Sequence, residues 1–291
     1  MRKFVDVLKD IAETFYLKYV VVFFLAGCFG FGVVGPLLHQ IDENRKEEAV
    51  ATSASKKKLP IYCVGTDKKN VAISFDAAWG ADDTDDLLKI LKENDVKATF
   101  FLCGYWVDKY PEEVKKIFEA GHTIGNHSNT HPHGNQLSLQ QNKDEIMAVH
   151  KKVKDLLGVD MFLYRPPFGE YNDTVLTAAE ECGYYSIQWD VDSLDWKNFG
   201  VEKEVNQVLN HKHLGNGSII LFHNDAKYTP EALGTIIKGI KEKGFQIVPI
   251  ADLIYKDSYY IDHEGRQIAK DLEETSTSDM STTTTTVANN N

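Results

Sequence analysis

The segment VAISFD, residues 71–76, is a short apolar run that ends in one carboxylate, Asp76. Six more apolar runs follow along the chain: Ala98–Leu102, Thr123–Gly125, Phe162–Tyr164, Tyr184–Trp189, Ser218–Phe222 and Phe245–Val248. Each has the length of a buried strand, and amphipathic helical patterns lie between them. Seven strand–helix alternations predict an α/β fold with a parallel sheet, either doubly wound or closed into a barrel.

Local signals mark the helices between these strands. Pro111 fits the first position of a helix, and Thr229-Pro230 marks a second helix start. Ser138 and Gln141 have the spacing of a capping box. Gly158 comes just after a helical pattern and just before a strand, where a left-handed cap is needed. These signals support the predicted alternation of helices and strands.

Polar side chains follow the predicted strands at the points where the strands end. In chain order they are Asp76, His127, His131, Arg165, Asp190, Asp192, Asp195 and His223. The carboxyl ends of parallel strands emerge on one face of an α/β fold, and active sites lie on that face. The sequence therefore predicts that these side chains converge.

The motif HSNTHPH, residues 127–133, places His127 and His131 four residues apart, on one side of a single helical turn. Such a pair can hold one cation, and imidazole suits zinc and its first-row neighbours. The alternative is a cluster of surface or core histidines with no ligand. A catalytic zinc site would need a third protein ligand from another strand end.

Three further side chains suggest acid–base chemistry. Asp76 beside a bound metal could act as a general base. Arg165 could orient that carboxylate through a bidentate pair, or could form an ordinary structural salt bridge. His223 could protonate a leaving amine, with Asp195 raising its pKa, or could be a satisfied core histidine.

Five ordered motifs resemble those of the polysaccharide deacetylase family, also called the NodB-homology domain or carbohydrate esterase family four. They are SFD (74–76), HSNTH (127–131), RPPF (165–168), DSLDW (192–196) and LFH (221–223). The resemblance spans roughly residues 69–254 and is closer to bacterial peptidoglycan and sporulation deacetylases than to fungal chitin deacetylases. It implies a distorted (β/α) barrel of about seven strands.

The resemblance also implies a role for each motif residue. It implies that Asp76 is the general base oriented by Arg165, and that His223 is the general acid supported by Asp195. His127 and His131 would bind a divalent metal, with zinc expected. Leu221 and Trp196 would line the acetyl pocket, and the backbone amide of Phe168 would stabilise the oxyanion. The implied reaction removes N-acetyl groups from a polysaccharide, with peptidoglycan as the expected substrate.

The first motif departs from the family pattern at one position. The family usually has two adjacent aspartates there, and the second is the metal ligand, but this chain has Ala77. The loop AAWGADD could bring Asp83, or less favourably Asp82, to the metal. Otherwise two histidines and water would hold it. Asp82 and Asp83 could also simply cap the helix that opens at Thr84.

The flanks of this domain differ from it in composition. We predict a short N-terminal segment (1–18), a transmembrane anchor (19–38), a linker (39–68), the deacetylase domain (69–256) and a disordered low-complexity tail (265–291). The run 19–38 has no charged residue and is long enough to span a bilayer, whereas a cleaved signal peptide usually has a shorter apolar stretch. The expected location is a single-pass membrane protein whose catalytic domain faces the extracytoplasmic side. The flanking charges do not fix that orientation, and the inferred substrate does.

Composition excludes some classes of partner. The formal net charge is −11, which gives no general attraction to nucleic acid. The four cysteines form no metal-finger spacing and are interpreted as buried free thiols. Two other functions stay open: a membrane-tethered, non-catalytic glycan-binding protein, for which Ala77 is the main support, and a metal amidohydrolase acting on another substrate.

Overall fold

The computed structural model describes residues 57–270. The predicted N-terminal segment (1–18), the anchor (19–38), most of the linker and residues 271–291 of the predicted tail lie outside this range. Among the described helices, none combines the length and the apolar character that a membrane span requires.

The described strands and helices alternate along most of the chain. The strands are β1 (Cys63–Val64), β2 (Asn70–Ala77), β3 (Thr99–Leu102), β4 (Thr123–Asn126), β5 (Leu163–Tyr164), β6 (Tyr185–Ser186), β7 (Val191–Asp192), β8 (Ile219–His223), β9 (Gln246–Ile247), β10 (Tyr259–Ile261) and β11 (Arg266–Ala269). The helices are α1 (Thr84–Glu93), α2 (Gly104–Lys109), α3 (Pro111–Glu119), α4 (Leu139–Leu157), α5 (Asp173–Glu181), α6 (Val201–Leu209), α7 (Thr229–Glu242) and α8 (Ile250–Leu253). Short 3-10 turns cover Gly134–Gln136, Pro167–Gly169 and Asp195–Lys197.

The central sheet has the strand order β6-β5-β4-β3-β2-β8-β7, with β9 also pairing with β2. Every pairing in it is parallel. Its two edge strands, β6 and β7, are joined by only four residues, 187–190, so the sheet curves back toward its own start. The α/β class is confirmed, and the seven-strand half-barrel is consistent with the expected distorted barrel.

Most predicted elements lie where the sequence placed them. All seven apolar runs contain a strand, and Ser138 and Gln141 form the predicted capping box at the start of α4. Gly158 adopts a left-handed conformation with φ of 75° at the end of that helix. The strand β7 was not predicted, because two residues are too few to produce a periodic pattern.

The folded unit is longer at both ends than the predicted domain, 69–256. Ile61, Cys63 and Val64 are buried, although they fall in the segment predicted as a linker. The strand β11 lies in the segment predicted as a disordered tail, and it pairs with β1 and β10 in a small second sheet. Both predictions are therefore wrong for these residues. These short strands become stable only by pairing with each other across about 200 residues of chain, which no local pattern reports.

Side chains along β2 point alternately to two faces of the central sheet. Ile73, Phe75 and Ala77 belong to the large apolar cluster that packs against the helices. Ser74 and Asp76 point to the opposite face, where Asp76 lies beside Phe101 of β3 and His223 of β8 in register. The parallel sheet thus places Asp76 and His223 side by side near its carboxyl edge.

Candidate active site

A cavity of about 630 Å³ opens at the carboxyl ends of the central strands. Five of the eight side chains predicted to converge line it, namely Asp76, His127, His131, Asp192 and His223, and so do Phe168, Trp196 and Leu221 of the family motifs. Arg165 and Asp195 are buried directly behind it, bonded to Asp76 and His223. The strand ends therefore bring seven of the eight side chains together, and Asp190 lies outside this group.

Asp76 is held by a buried guanidinium. Arg165 donates from one terminal nitrogen to Asp76 Oδ1 at 2.7 Å, and from the other to Ser74 Oγ at 2.8 Å and to the backbone oxygen of Gln188 at 3.2 Å. Its guanidinium also stacks on the Phe101 ring, 4.1 Å from the centroid. Burial alone would raise the pKa of Asp76, but the opposing charge of Arg165 and the nearby histidines lower it below its ordinary value. Asp76 is therefore a carboxylate ready to accept a proton.

The two histidines of the second motif lie next to each other. Their ring centroids are 4.9 Å apart. His127 Nδ1 lies 2.8 Å from the backbone oxygen of Arg165. A carbonyl only accepts, so Nδ1 carries the proton and Nε2 is left as the free ligand atom. His127 Nε2 lies 3.5 Å from Asp76 Oδ2.

The backbone around this pair differs from the expected helical turn. Residues 127–131 form no helix, and both Ser128 and His131 have positive φ, at 61° and 54°. The turn is stabilised instead by the Ser128 hydroxyl, which accepts a hydrogen bond from the backbone N–H of His131 at 3.1 Å. The expectation of a helical turn was wrong. Asn126 and Ser128 each accept a backbone N–H of this turn, from Ser128 at 2.9 Å and from His131 at 3.1 Å, and such local bonds compete with helix formation.

Both rings have an environment that favours the neutral form. Burial, reinforced by the other histidine, lowers the pKa of His131 to about 4. Burial also lowers the pKa of His127, against the opposing effect of Asp76. Neutral imidazole is the form that ligates a metal, so this pair fits a zinc-type cation by its donor chemistry.

The aspartates predicted as the third ligand do not line the cavity. Asp82 is exposed, and Asp83 is the residue before α1. The loop that carries them is held at Gly80, whose backbone oxygen accepts from Trp106 Nε1 at 2.9 Å and from Asn224 Nδ2 at 2.6 Å. Ligation by Asp83 or Asp82 stays a prediction without support from this geometry. Among the described residues, the group of three possible ligands here is Cys103, His127 and His131.

His223 is paired with a buried carboxylate. Its Nδ1 donates to Asp195 Oδ1 at 2.7 Å, and its backbone N–H donates to Asp195 Oδ2 at 2.6 Å. Burial alone would lower the pKa of His223, but the hydrogen bond and charge of Asp195 outweigh burial and raise the pKa above its ordinary value. A histidine whose pKa is raised by a buried carboxylate suits proton donation.

Exposed aromatic rings surround the cavity. Trp79, Phe168 and Trp196 are 54%, 53% and 55% exposed, while Leu221 is buried at the cavity wall. Phe168 has φ of 60°, an uncommon conformation for a large side chain, which orients its ring toward His131 at 4.4 Å. Trp79 was not predicted to line the site, although it lies in the loop that follows the first motif.

Two other polar residues form hydrogen bonds that stabilise the fold. Asp190 accepts from the backbone N–H of Ile219 at 2.8 Å and from Ser218 Oγ at 3.0 Å, so it joins β8 to the segment before β7. His122 accepts from the backbone N–H of Ala98 at 3.1 Å, and burial lowers its pKa to about 4. Neither residue lines the cavity.

The structure is a parallel half-barrel that carries an acid next to a base at its carboxyl edge. Two histidines that can bind a metal lie beside them. This combination of fold and site is that of a hydrolytic enzyme of the barrel class. The family profile described as polysaccharide deacetylase matches residues 64–187. The chain belongs to this family, as its resemblance implied.

Relatives of known name support the assignment. A peptidoglycan-N-acetylglucosamine deacetylase of Bacillus cereus is 34% identical over 196 residues, which cover 66% of this chain and 91% of the relative. The peptidoglycan-N-acetylmuramic acid deacetylase PdaA of Bacillus subtilis is 32% identical over 198 residues, covering 67% of this chain and 75% of PdaA.

A relative of known structure is described as inactive. BA3943 from Bacillus anthracis, described as a pseudoenzyme of carbohydrate esterase family four, is 34% identical with a TM-score of 0.64, covering 67% of this chain and 68% of BA3943. A BA3943 mutant described as having restored enzymatic activity matches at 35% identity with the same TM-score. The same fold is thus present in an enzyme family and in a relative without activity.

Proposed function

We propose that this chain is a metal-dependent hydrolase that removes N-acetyl groups from the amino sugars of peptidoglycan. The observation that carries the proposal is the adjacency of Asp76 and His223, which are register partners on β2 and β8. Each has its own buried partner, Arg165 for Asp76 and Asp195 for His223. A binding site for a neutral sugar has no need of a charged base next to a charged acid.

The residues divide the reaction between them. A divalent cation, when bound by His127 and His131, supplies Lewis-acid activation of the acetamide carbonyl and of water. Asp76 takes the proton of the attacking water, and its charge is kept available by Arg165. His223 gives its Nε2 proton to the departing amine, because Asp195 holds Nδ1. We assign the backbone amide of Phe168 to the oxyanion, by its place at the cavity rim.

Two features support a polysaccharide substrate. The named relatives act on peptidoglycan. Trp79, Phe168 and Trp196 expose ring faces around an open cavity, and such faces pack well against the apolar side of sugar rings. A small-molecule amidohydrolase would more naturally enclose its substrate.

Acetate release from purified peptidoglycan by the full chain tests the proposal. We expect the double variant His127→Ala/His131→Ala to lose activity by more than the roughly 100- to 1000-fold typical of losing one oxyanion donor. The matched control is His211→Ala/His213→Ala, a second histidine pair, whose rings lie 5.4 Å apart and outside this cavity. Wild-type turnover in the first variant would contradict the mechanism.

A non-catalytic glycan-binding protein is the second candidate function. Ala77 at the usual position of a metal-ligating aspartate favours it, together with the likeness to BA3943. If it is correct, the chain binds peptidoglycan without releasing acetate, and Ala77→Asp creates activity that the wild type lacks.

We also propose zinc as the metal and a single-pass membrane location with the catalytic domain outside the cytoplasm. Two neutral imidazoles, one buried and one half-buried, support zinc. The uncharged apolar run 19–38 and the extracellular position of peptidoglycan support the location. Protease accessibility of the domain in intact cells tests it, and complete protection would contradict it.

A further inference from the structure

A thiol lies beside the two histidines. One ligand atom from each of Cys103, His127 and His131 lies within 4.8 Å of the others. Cys103 is the residue directly after β3, and it is fully buried. We propose that Cys103 Sγ is the third protein ligand of the metal, so that the site is Cys–His–His. The inference rests on the proposed metal dependence and specifies its ligand set.

The position of Cys103 explains how the site tolerates Ala77. The backbone N–H of Cys103 donates to the oxygen of Ala77 at 3.0 Å, so the two residues are neighbours on adjacent strand ends. The Ala77 methyl is buried and offers no ligand atom. A thiolate at the end of the next strand, adjacent to position 77, therefore supplies the negative charge that an aspartate at position 77 would bring.

The remaining carboxylates nearby are engaged elsewhere. Asp76 is bonded to Arg165, and as a ligand it would no longer be free to act as base. Asp225 and Asp192 also line the cavity, but Asp225 Oδ2 accepts from the backbone N–H of Gly80 at 3.2 Å, and Asp192 Oδ1 accepts from the backbone N–H of Leu194 at 2.8 Å. Ligation by Cys103 leaves Asp76 available for proton transfer and requires no movement of the loop that carries Asp82 and Asp83.

The thiol can reach a cation by a small adjustment. Cys103 Sγ donates to the backbone oxygen of His127 at 3.2 Å. On metal binding the S–H bond breaks, the sulfur–metal bond forms, and one proton passes to solvent. The His127 oxygen loses one weak donor, which costs less than the metal–sulfur bond returns.

A thiolate ligand changes which metals the site prefers. Soft sulfur favours zinc and disfavours magnesium, calcium and manganese, which prefer oxygen ligands. Mixed cysteine–histidine sets with an open position are an established form of catalytic zinc site. We therefore expect the chain to select zinc or cobalt over manganese more strongly than a site with a carboxylate ligand does.

Cobalt substitution gives a readout that is independent of activity. A thiolate bound to cobalt produces an intense charge-transfer absorption in the near ultraviolet, which imidazole and carboxylate ligands do not. We expect this band in the wild type and in the control Cys182→Ser, which removes a half-buried free thiol that follows α5 and does not line the cavity. We expect Cys103→Ser to lose the band and to weaken zinc binding by more than the roughly 10- to 100-fold typical of an outer-shell change.

The outcomes separate the two proposals. Cobalt bound without the band in the wild type, or a band that persists in Cys103→Ser, overturns ligation by Cys103 and leaves the deacetylase proposal intact. No cobalt or zinc binding by the folded wild type overturns both proposals. Cys103→Asp serves as a second variant, because its carboxylate can replace the thiolate as a ligand: it should retain zinc binding without the thiolate band, and circular dichroism checks that both variants fold.

Discussion

Replacement of Arg165 by methionine should destabilise the fold through the charge it leaves behind. The Arg165 side chain is completely buried and donates to Asp76, Ser74 and the Gln188 backbone. Methionine has a similar length and can keep part of the packing on the Phe101 ring. Asp76 would then remain buried without its counterion.

The magnitude follows from that unpaired carboxylate. Removing one partner of a buried ion pair costs about 3–5 kcal/mol, and the freed Ser74 hydroxyl adds a smaller amount. Asp76→Ala should cost a similar amount, because it leaves the guanidinium of Arg165 unpaired. The double variant should cost less than the sum of the two single variants by at least about 2 kcal/mol, since no unpaired charge is left.

Urea unfolding followed by tryptophan fluorescence measures these differences. The matched control is Arg266→Met on β11, which changes a partly exposed arginine, and we expect a loss of less than about 1 kcal/mol. Additive single variants, or a loss below about 1 kcal/mol for Arg165→Met, would refute the view that this pair is a mutually dependent buried unit.

Three further predictions concern proton binding and helix capping. Burial raises the pKa of Glu204 from 4.5 to about 7, so the folded state binds more protons between these values and loses stability as pH rises through about 7. Relative to Glu204→Gln, the wild type should lose roughly 1–2 kcal/mol from about pH 5 to pH 8 once solvent screening is allowed for, and equal pH profiles in urea unfolding would contradict this. Asp195→Asn removes the charge that raises the pKa of His223, so the alkaline limb of acetate release should move to lower pH, and an unmoved limb would argue against His223 as the acid. Ser138→Ala should cost about 1 kcal/mol by removing the capping box of α4, whereas Ser138→Asp, which keeps an acceptor, should cost much less in the same unfolding measurement.

The placement of the acid and the base was predictable because it depends on local patterns. A buried strand is visible as an apolar run, and the residue at its end is known once the run is known. In a parallel α/β fold all such strand ends lie on one face. The sequence alone could therefore assign Asp76, His127, Arg165 and His223 to one site. The capping box at Ser138 was readable for the same reason, since its two partners are three residues apart.

The proposed ligand set could not be predicted in this way. Cys103 was interpreted as one of several buried thiols, because nothing in its local sequence distinguishes it. Its relation to Ala77 arises from the register of β2 against β3, and its relation to His127 from the next strand along. The left-handed backbone at His131, which orients the second histidine, depends on a hydroxyl contact that forms only in the folded turn. The pattern along the chain determines which residues reach the carboxyl edge of the sheet, whereas the tertiary structure alone decides which of their side chains come within a few ångströms of one another, because that depends on the pairing of neighbouring strands.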